Sequence, residues 1–389
     1  MPTVRVRLPA RSHNYEIRIG AGLLQSLGAN VRACLGAKTR RAALISDGTV
    51  FKLYGRLVIE SLRGAGLTVN HFTIDAGERH KSFPWLEKII DFLSANQFER
   101  NDVIIALGGG VVGDLAGFAA AIYLRGIEFI QVPTTLLAQI DASVGGKTGI
   151  NLPAGKNLVG AFHQPALVSI DTNTLRTLPA RELTSGWCEA IKQGAAGSPR
   201  LFAQTVALLR ERGPDFSWKS ANPKNHIEAS AVIAAHCRFK ATIVSGDERE
   251  SLLRSDHRSR RILNFGHTTA HALEAVTGYR RFRHGEAVGY GMLVAAEISK
   301  SLGMLASGGL ESLREAVALC GPLPRADDLA VAKIARAMAN DKKSLAGKVK
   351  WILLERIGRA RIVDGSEIKP QVLAGALRAG LQHLPRARP

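Results

Sequence analysis

The chain has 389 residues, more than one hydrophobic core usually organises, and its 46% hydrophobic and 22% charged content describes an ordinary soluble globular protein of two domains. No apolar run is long and uncharged enough to span a bilayer as a helix, which excludes a helical membrane protein. The formal charge of +19 invites a nucleic-acid partner, but Lys and Arg are spread along the chain without a binding motif, so the expectation is no nucleic acid and a small, multiply anionic ligand.

The start, MPTVRVRLPARSHNYEIRIG, alternates apolar and polar residues and reads as edge strands, without the apolar core and cleavage site of a signal peptide. Four cysteines (Cys34, Cys188, Cys237, Cys320) are scattered with no CxxC pair, the pattern of reduced, mostly buried thiols. Both features point to a cytoplasmic protein.

From Arg41 strand and helix patterns alternate. RAALISDG is a short apolar strand ending at Asp47, and VFKLYGRLVIESLRGAG is a helix. LTVNHFTID and PWLEKIIDFLSANQ repeat the pair, and NDVIIALGGGVVGDLAGFAAAIY gives an apolar strand, a glycine cluster and a small-residue helix before the strand IEFIQVPTT. Strands separated by helices of this length predict a parallel sheet with right-handed crossovers, and ligands of such sheets bind at the carboxyl ends of strands. Gly108 to Gly113 matches GxGxxG between a strand and a helix, where bare backbone can approach a pyrophosphate at a helix N-terminus; this predicts dinucleotide binding. Asp47, at an earlier strand end, is a candidate for a ribose hydroxyl or an ordinary turn aspartate. The stretch from Asp141 through Lys147 to Lys156 and Asn157 is rich in glycine and reads as a loop whose two lysines cradle an anion.

Beyond Thr174 helical periodicity dominates until KVKWILLERIGRARIV, which divides residues 1–175, an α/β domain, from residues 176–389, a mainly α-helical one. The stretch NFGHTTAHALEAVTGYRRFRHGE in this second half holds three of the 11 histidines. His267 and His271 are four apart in an apolar-periodic run and share a helix face, and His284 follows a Gly-Tyr break. Two or three nitrogen ligands plus a carboxylate from elsewhere suit Zn²⁺ or a similar divalent ion. Thr268 after the first histidine excludes the HExxH metalloprotease pattern. Glu189 and Lys192, three apart on a helix, read as an exposed ion pair.

Seven blocks in one order, GGGVVGDLAGFAAAIYLRG, VPTTLLAQIDASVGGKTGIN, GKNLVGAFHQP, EAIKQG, LNFGHTTAHALE, RHGEAV and NDKKSLAG, resemble the 3-dehydroquinate synthases of the sugar phosphate cyclase family. The resemblance implies a Rossmann-like, parallel-sheet N-terminal domain, a helical metal- and substrate-binding domain, NAD⁺ with Zn²⁺ or Co²⁺ as cofactors, and a homodimer. It also implies conversion of 3-deoxy-D-arabino-heptulosonate 7-phosphate to 3-dehydroquinate and phosphate. In that pattern the metal falls to Glu189, His267 and His284, and His271 becomes an acid–base group. Substrate falls to Arg125, Lys147, Asn157, Lys192, Lys240, Arg260 (rather than Arg258 or Arg261), Asn264 and Lys343 (rather than Lys342). Asp141 matches a residue at the junction of cofactor and substrate. The cofactor falls to Asp47, Glu78, Lys81, Gly109, Gly110, Asp114, Thr134, Thr135, Lys156 and Thr177, with Asp141 and Lys147 alongside.

Two rival enzymes share parts of this pattern. A valiolone-type synthase acting on sedoheptulose 7-phosphate has the same metal and NAD⁺ positions, but Asn264 and His271 favour the heptulosonate. A metal-dependent alcohol dehydrogenase shares the two-domain plan but has no need of the lysine-rich anion blocks.

Overall fold

The computed structural model describes residues 14–153, 155–215, 223–339 and 350–382. Its N-terminal part is built on a six-stranded sheet of β1 (Glu16–Gly20), β2 (Arg41–Asp47), β3 (Thr68–Ile74), β4 (Val103–Gly108), β5 (Glu128–Pro133) and β8 (Leu167–Asp171). The strands are all parallel, in the order β1-β8-β5-β4-β2-β3. Every residue of β4 is buried, as are six of the seven in β2, because helices cover both faces. On one side α1 (Leu27–Leu35) packs with α3 (Arg56–Gly64), which continues a turn begun as α2 (Gly48–Val50) and widened to π geometry at Phe51–Gly55. On the other side lie α4 (Phe83–Ala95) and α5 (Gly110–Ile122).

The chain leaves β2 toward β3 and leaves β4 in the opposite direction toward β5, so the strand order reverses between the carboxyl ends of β2 and β4. Such a reversal leaves a crevice there. Asp47 ends β2 and the glycine cluster ends β4, so both line it.

The stretch read as a glycine-rich loop is instead an antiparallel hairpin, β6 (Lys147–Leu152) with β7 (Gly155–Phe162). Its glycines serve strand approach. A Cβ on Gly149 would sit 2.5 Å from the Val159 carbonyl oxygen, and one on Gly160 would sit 2.0 Å from that of Thr148. Only glycine fits there.

After β8 the described chain is helical, apart from the two-stranded ribbon of β9 (Lys350–Arg356) and β10 (Arg359–Asp364). The helices are α6 (Ala180–Gly197), α7 (Pro199–Arg212), α8 (Pro223–Gly246), α9 (His267–Val276), α10 (His284–Ser301), α11 (Ser307–Leu319), α12 (Val331–Ala339) and α13 (Pro370–Gly380). Helix α10 is buried on nearly every side, packed by α6, α9, α11, α13 and β9, which accounts for its apolar and small-residue sequence. Two glycines set its position. A Cβ on Gly285 would lie 1.9 Å from the Ser185 carbonyl oxygen of α6, and one on Gly291 would lie 2.0 Å from that of Gly266, just before α9. Three helices are thereby drawn together near Glu189, in the middle of α6, and His267 and His284, at the starts of α9 and α10. No helix among the described residues is long and apolar enough to cross a membrane.

Candidate active site

Among the described residues, the group placed to hold a metal ion is Glu189 on α6, His267 at the start of α9 and His284 at the start of α10, whose ligand atoms lie within 4.8 Å of one another. The His267 and His284 rings are 5.1 Å apart, and His284 Nε2 faces Glu189 Oε1 at 3.6 Å. Glu189 is 1% exposed, and neither carboxylate oxygen accepts a hydrogen bond of good geometry, although the Lys192 ammonium lies 2.5 Å from Oε2. Burial holds its pKa above the ordinary carboxylate value against the pull of Lys192. A buried carboxylate beside two imidazoles fits a divalent cation, which would take a ligand from each of the three. His267 Nδ1 faces the Phe265 carbonyl at 3.3 Å, and His284 Nδ1 faces Glu274 at 3.4 Å, so one side of each ring is held through Nδ1. His271 stands outside this trio, 5.5 Å from the His267 ring and 6.2 Å from that of His284.

A charged network adjoins this trio. Asp141 lies in a π turn, Ala138–Ala142, that follows β5 and is gripped by hydrogen bonds from Gln193 on α6 and Cys237 on α8. Its carboxylate pairs with Lys192 at 3.2 Å and with Lys240, whose ammonium also donates to the Asp141 backbone carbonyl at 2.6 Å. Burial tends to raise the Asp141 pKa, but the two lysines outweigh it and hold it well below the usual range. Glu189 and Lys192 are thus buried members of one network, not the exposed pair that their spacing suggested.

Next to it, Lys147 at the start of β6 pairs with Glu250, whose other oxygen accepts from Asn264 Nδ2 at 2.7 Å. Glu250 adopts φ +53°, a left-handed conformation uncommon for a residue with a side chain. Arg260 is 2% exposed; its guanidinium donates to the Gly145 carbonyl at 2.8 Å and to that of Glu248. Lys147, Lys240, Arg260 and Asn264 therefore cluster at one mouth around Asp141 and Glu250.

The cofactor candidates line the other side. Gly109 caps α5, and a Cβ there would come within 3.1 Å of Thr135 Cγ2, while one on Gly110 would come within 3.3 Å of Ala142. Asp47 Oδ1 accepts from the backbone N–H groups of Thr49 and Val50, so one oxygen serves as a helix cap. Thr134 follows β5 with its N–H on the Gly108 carbonyl at 3.0 Å, and Thr135 Oγ1 accepts from Ala138. Lys81, 4% exposed, donates to Asp114 on α5 and to Asn157 on β7. Lys156 lies 3.7 Å from Glu78 and 3.0 Å from Glu274, its ammonium 4.9 Å above the Tyr279 ring. Thr177 bonds the Tyr54 hydroxyl at 2.6 Å.

Three placements differ from a simple grouping. Asn157 sits with Lys81 and Asp114 rather than with the lysines around Asp141. Arg125, with φ +66°, is exposed on the turn from α5 into β5, at the amino end of β5 and so at the opposite end of the sheet from the crevice. Lys343 lies outside the described residues. Two residues were missed in the sequence, Glu250 and Glu274. Glu274 falls three positions after His271 and seven after His267, on the same face of α9, and that spacing was the available signal.

A family model for the N-terminal part of 3-dehydroquinate synthase matches residues 71–185, and one for its C-terminal part matches residues 186–344. The chain belongs to the 3-dehydroquinate synthase family. It is 43% identical to the 3-dehydroquinate synthase of Nitrobacter hamburgensis, over 98% of this chain and 97% of that one. It is also 43% identical to that of Nostoc punctiforme, over 96% and 99%. Among solved structures it is similar to ValA, the 2-epi-5-epi-valiolone synthase of Streptomyces hygroscopicus subsp. jinggangensis, determined with NAD⁺ and Zn²⁺ bound. That match has 26% identity and a TM-score of 0.83, over 96% of this chain and 98% of that one. The parallel-sheet half and the helical half are thus the architecture of the family.

Proposed function

We propose that the chain is a carbon–oxygen lyase that converts 3-deoxy-D-arabino-heptulosonate 7-phosphate to 3-dehydroquinate and inorganic phosphate, the ring-forming step of the shikimate pathway to chorismate and the aromatic amino acids. The observation that carries this is the meeting, at one crevice, of the Glu189–His267–His284 trio and the cationic mouth around Asp141, beside the bare glycines that open α5. NAD⁺ and a divalent ion, Zn²⁺ or Co²⁺, supply reversible hydride transfer and Lewis-acid polarisation of a secondary alcohol, so the redox change cancels over one turnover.

The chain's own residues do the rest. Lys147, Lys240, Arg260 and Asn264 bind the carboxylate and phosphate of the substrate, which needs several cations in fixed places. Asp141, held ionised by Lys192 and Lys240, keeps those ammonium groups charged and aimed into the crevice. His271, one turn from His267, takes up the proton of the substrate hydroxyl at an imidazole nitrogen and later returns it. Gly109 and Gly110 leave the N-terminus of α5 open to the cofactor pyrophosphate, with Lys81, Asp114, Glu78 and Lys156 around its remaining polar groups. The four cysteines are free thiols, which supports a cytoplasmic location, and the family resemblance adds a homodimer.

The similarity to ValA favours a second substrate, sedoheptulose 7-phosphate. The full-length 43% identity to 3-dehydroquinate synthases weighs against it. Purified protein with NAD⁺ and Zn²⁺ or Co²⁺ is expected to release phosphate from the heptulosonate and form 3-dehydroquinate. Turnover of sedoheptulose 7-phosphate alone would transfer the assignment to the valiolone reaction.

A further inference from the structure

Glu274 carries no role in the reaction described above, yet its placement is unusual. It lies on the third turn of α9, 3% exposed, on the face that carries His267 and His271. Oε1 accepts from Lys156 Nζ at 3.0 Å and faces His284 Nδ1 at 3.4 Å, while Oε2 is buried with no hydrogen-bond partner. Leaving a buried carboxylate oxygen unpaired is costly, so a packing role alone would be filled better by an apolar side chain.

The His284 ring is held between two carboxylates, with Glu189 at Nε2 and Glu274 at Nδ1. A neutral imidazole carries one N–H. When Nδ1–H points at Glu274, the lone pair on Nε2 points at the metal trio, and the reverse tautomer would aim a hydrogen at the ion. His267 obtains the same orientation from a backbone carbonyl. For His284 the orienting group is a side chain, and that side chain also binds Lys156, which comes from the hairpin on the cofactor side of the crevice.

We propose that Glu274 is a positioning residue that fixes the tautomer and orientation of His284 for the metal ion and, through Lys156, couples retention of the metal to the cofactor side of the crevice. The inference rests on the reading of Glu189, His267 and His284 as ligands. A group of this kind contributes to metal affinity without touching the ion, and its loss usually weakens binding by about 10–100-fold.

The test uses full-length protein loaded with Co²⁺ in the absence of substrate. The Co²⁺ dissociation constant is measured by chelator competition, and the visible d–d spectrum reports ligand geometry. Glu274→Ala is expected to weaken Co²⁺ binding by about 10–100-fold and to shift the d–d bands. Glu274→Gln, which keeps an acceptor oxygen but not the charge, should fall between Glu274→Ala and wild type. At NAD⁺ concentrations that saturate the variant, Lys156→Met should show none of the strengthening of Co²⁺ binding by NAD⁺ that wild type shows, since coupling between two ligands is reciprocal and runs through this pair. Wild-type affinity and spectrum in a folded Glu274→Ala protein would overturn the positioning role, and NAD⁺ coupling that survives Lys156→Met would overturn the link. Wild-type protein that binds no Co²⁺ would overturn the ligand assignment itself, a failure distinct from the other two.

Discussion

The sheet half and the helical half furnish the crevice by opposite means. In the sheet half β4 stays apolar and bare glycines at its carboxyl end open α5, while the charged candidates Asp141, Lys147 and Lys156 stand on the π turn and the hairpin outside the sheet. In the helical half the groups are charged side chains within buried helices. Lys192 and Glu189 are at most 2% exposed and rely on one another and on Asp141 for compensation. At the strand ends function is therefore separable from stability, because a strand end can change without disturbing the sheet. In the second half the two are joined, since removal of any one charge strands another in a poorly solvated place.

The comparison is broken most severely at the candidate metal trio. His267→Ala is expected to abolish both metal retention and activity, read by metal analysis of the purified protein and by phosphate release. His271→Ala, one turn along the same helix, should keep the metal and slow turnover by about 10²–10⁴-fold. Equal loss of metal from the two variants would refute that division of roles. Next in size is Asp141→Ala, which leaves the buried ammonium groups of Lys192 and Lys240 without their shared anion. A loss of about 3–5 kcal/mol in urea unfolding is expected, alongside the loss of activity.

A smaller effect sharpens the contrast through pH. His236 on α8, fully buried and bonded to Thr205 and Gln193, is pushed by burial down to about 3. The unfolded chain, with an ordinary histidine near 6.5, binds the proton first as pH falls, so stability from this group is complete above that value and declines toward pH 3. By pH 5 the loss is about 2 kcal/mol, and a His236→Gln variant should flatten that part of the profile of unfolding free energy. The smallest effect belongs to the sheet half. Gly109→Ala places a methyl group 3.1 Å from Thr135 Cγ2 at the mouth of α5. It should weaken NAD⁺ binding by about tenfold while changing unfolding free energy by less than about 1 kcal/mol. A large stability loss there would erase the distinction between the halves.

The sheet half was the more legible in the sequence for the same reason. Strand ends and glycine turns are local events, so Asp47 and the cluster at Gly108 could be placed from neighbours alone. The hairpin from Lys147 to Phe162 was misread because glycines that permit close strand approach look, in sequence, like glycines that permit a turn. In the helical half the spacing of His267 and His271 suggested a shared ion, whereas Glu189, His267 and His284, the trio that the family resemblance named, are the group that lies together, with α6 drawn to α10 by the contact of Gly285. Glu250 and Glu274 escaped notice because acidic residues are common on helices and in loops. Only tertiary structure shows that these two meet lysines and a histidine from distant segments.

The largest apolar cluster contains Leu136, Val144, Val168 and Ile170 from the sheet half together with most of the buried residues of the helical half. Its size makes the junction resemble the interior of one domain more than a contact between two, and junctions of that kind resist hinge motion. The hairpin and the segments around Glu78 and Glu250 lie outside that cluster, so they are less constrained by it than the two halves are by each other.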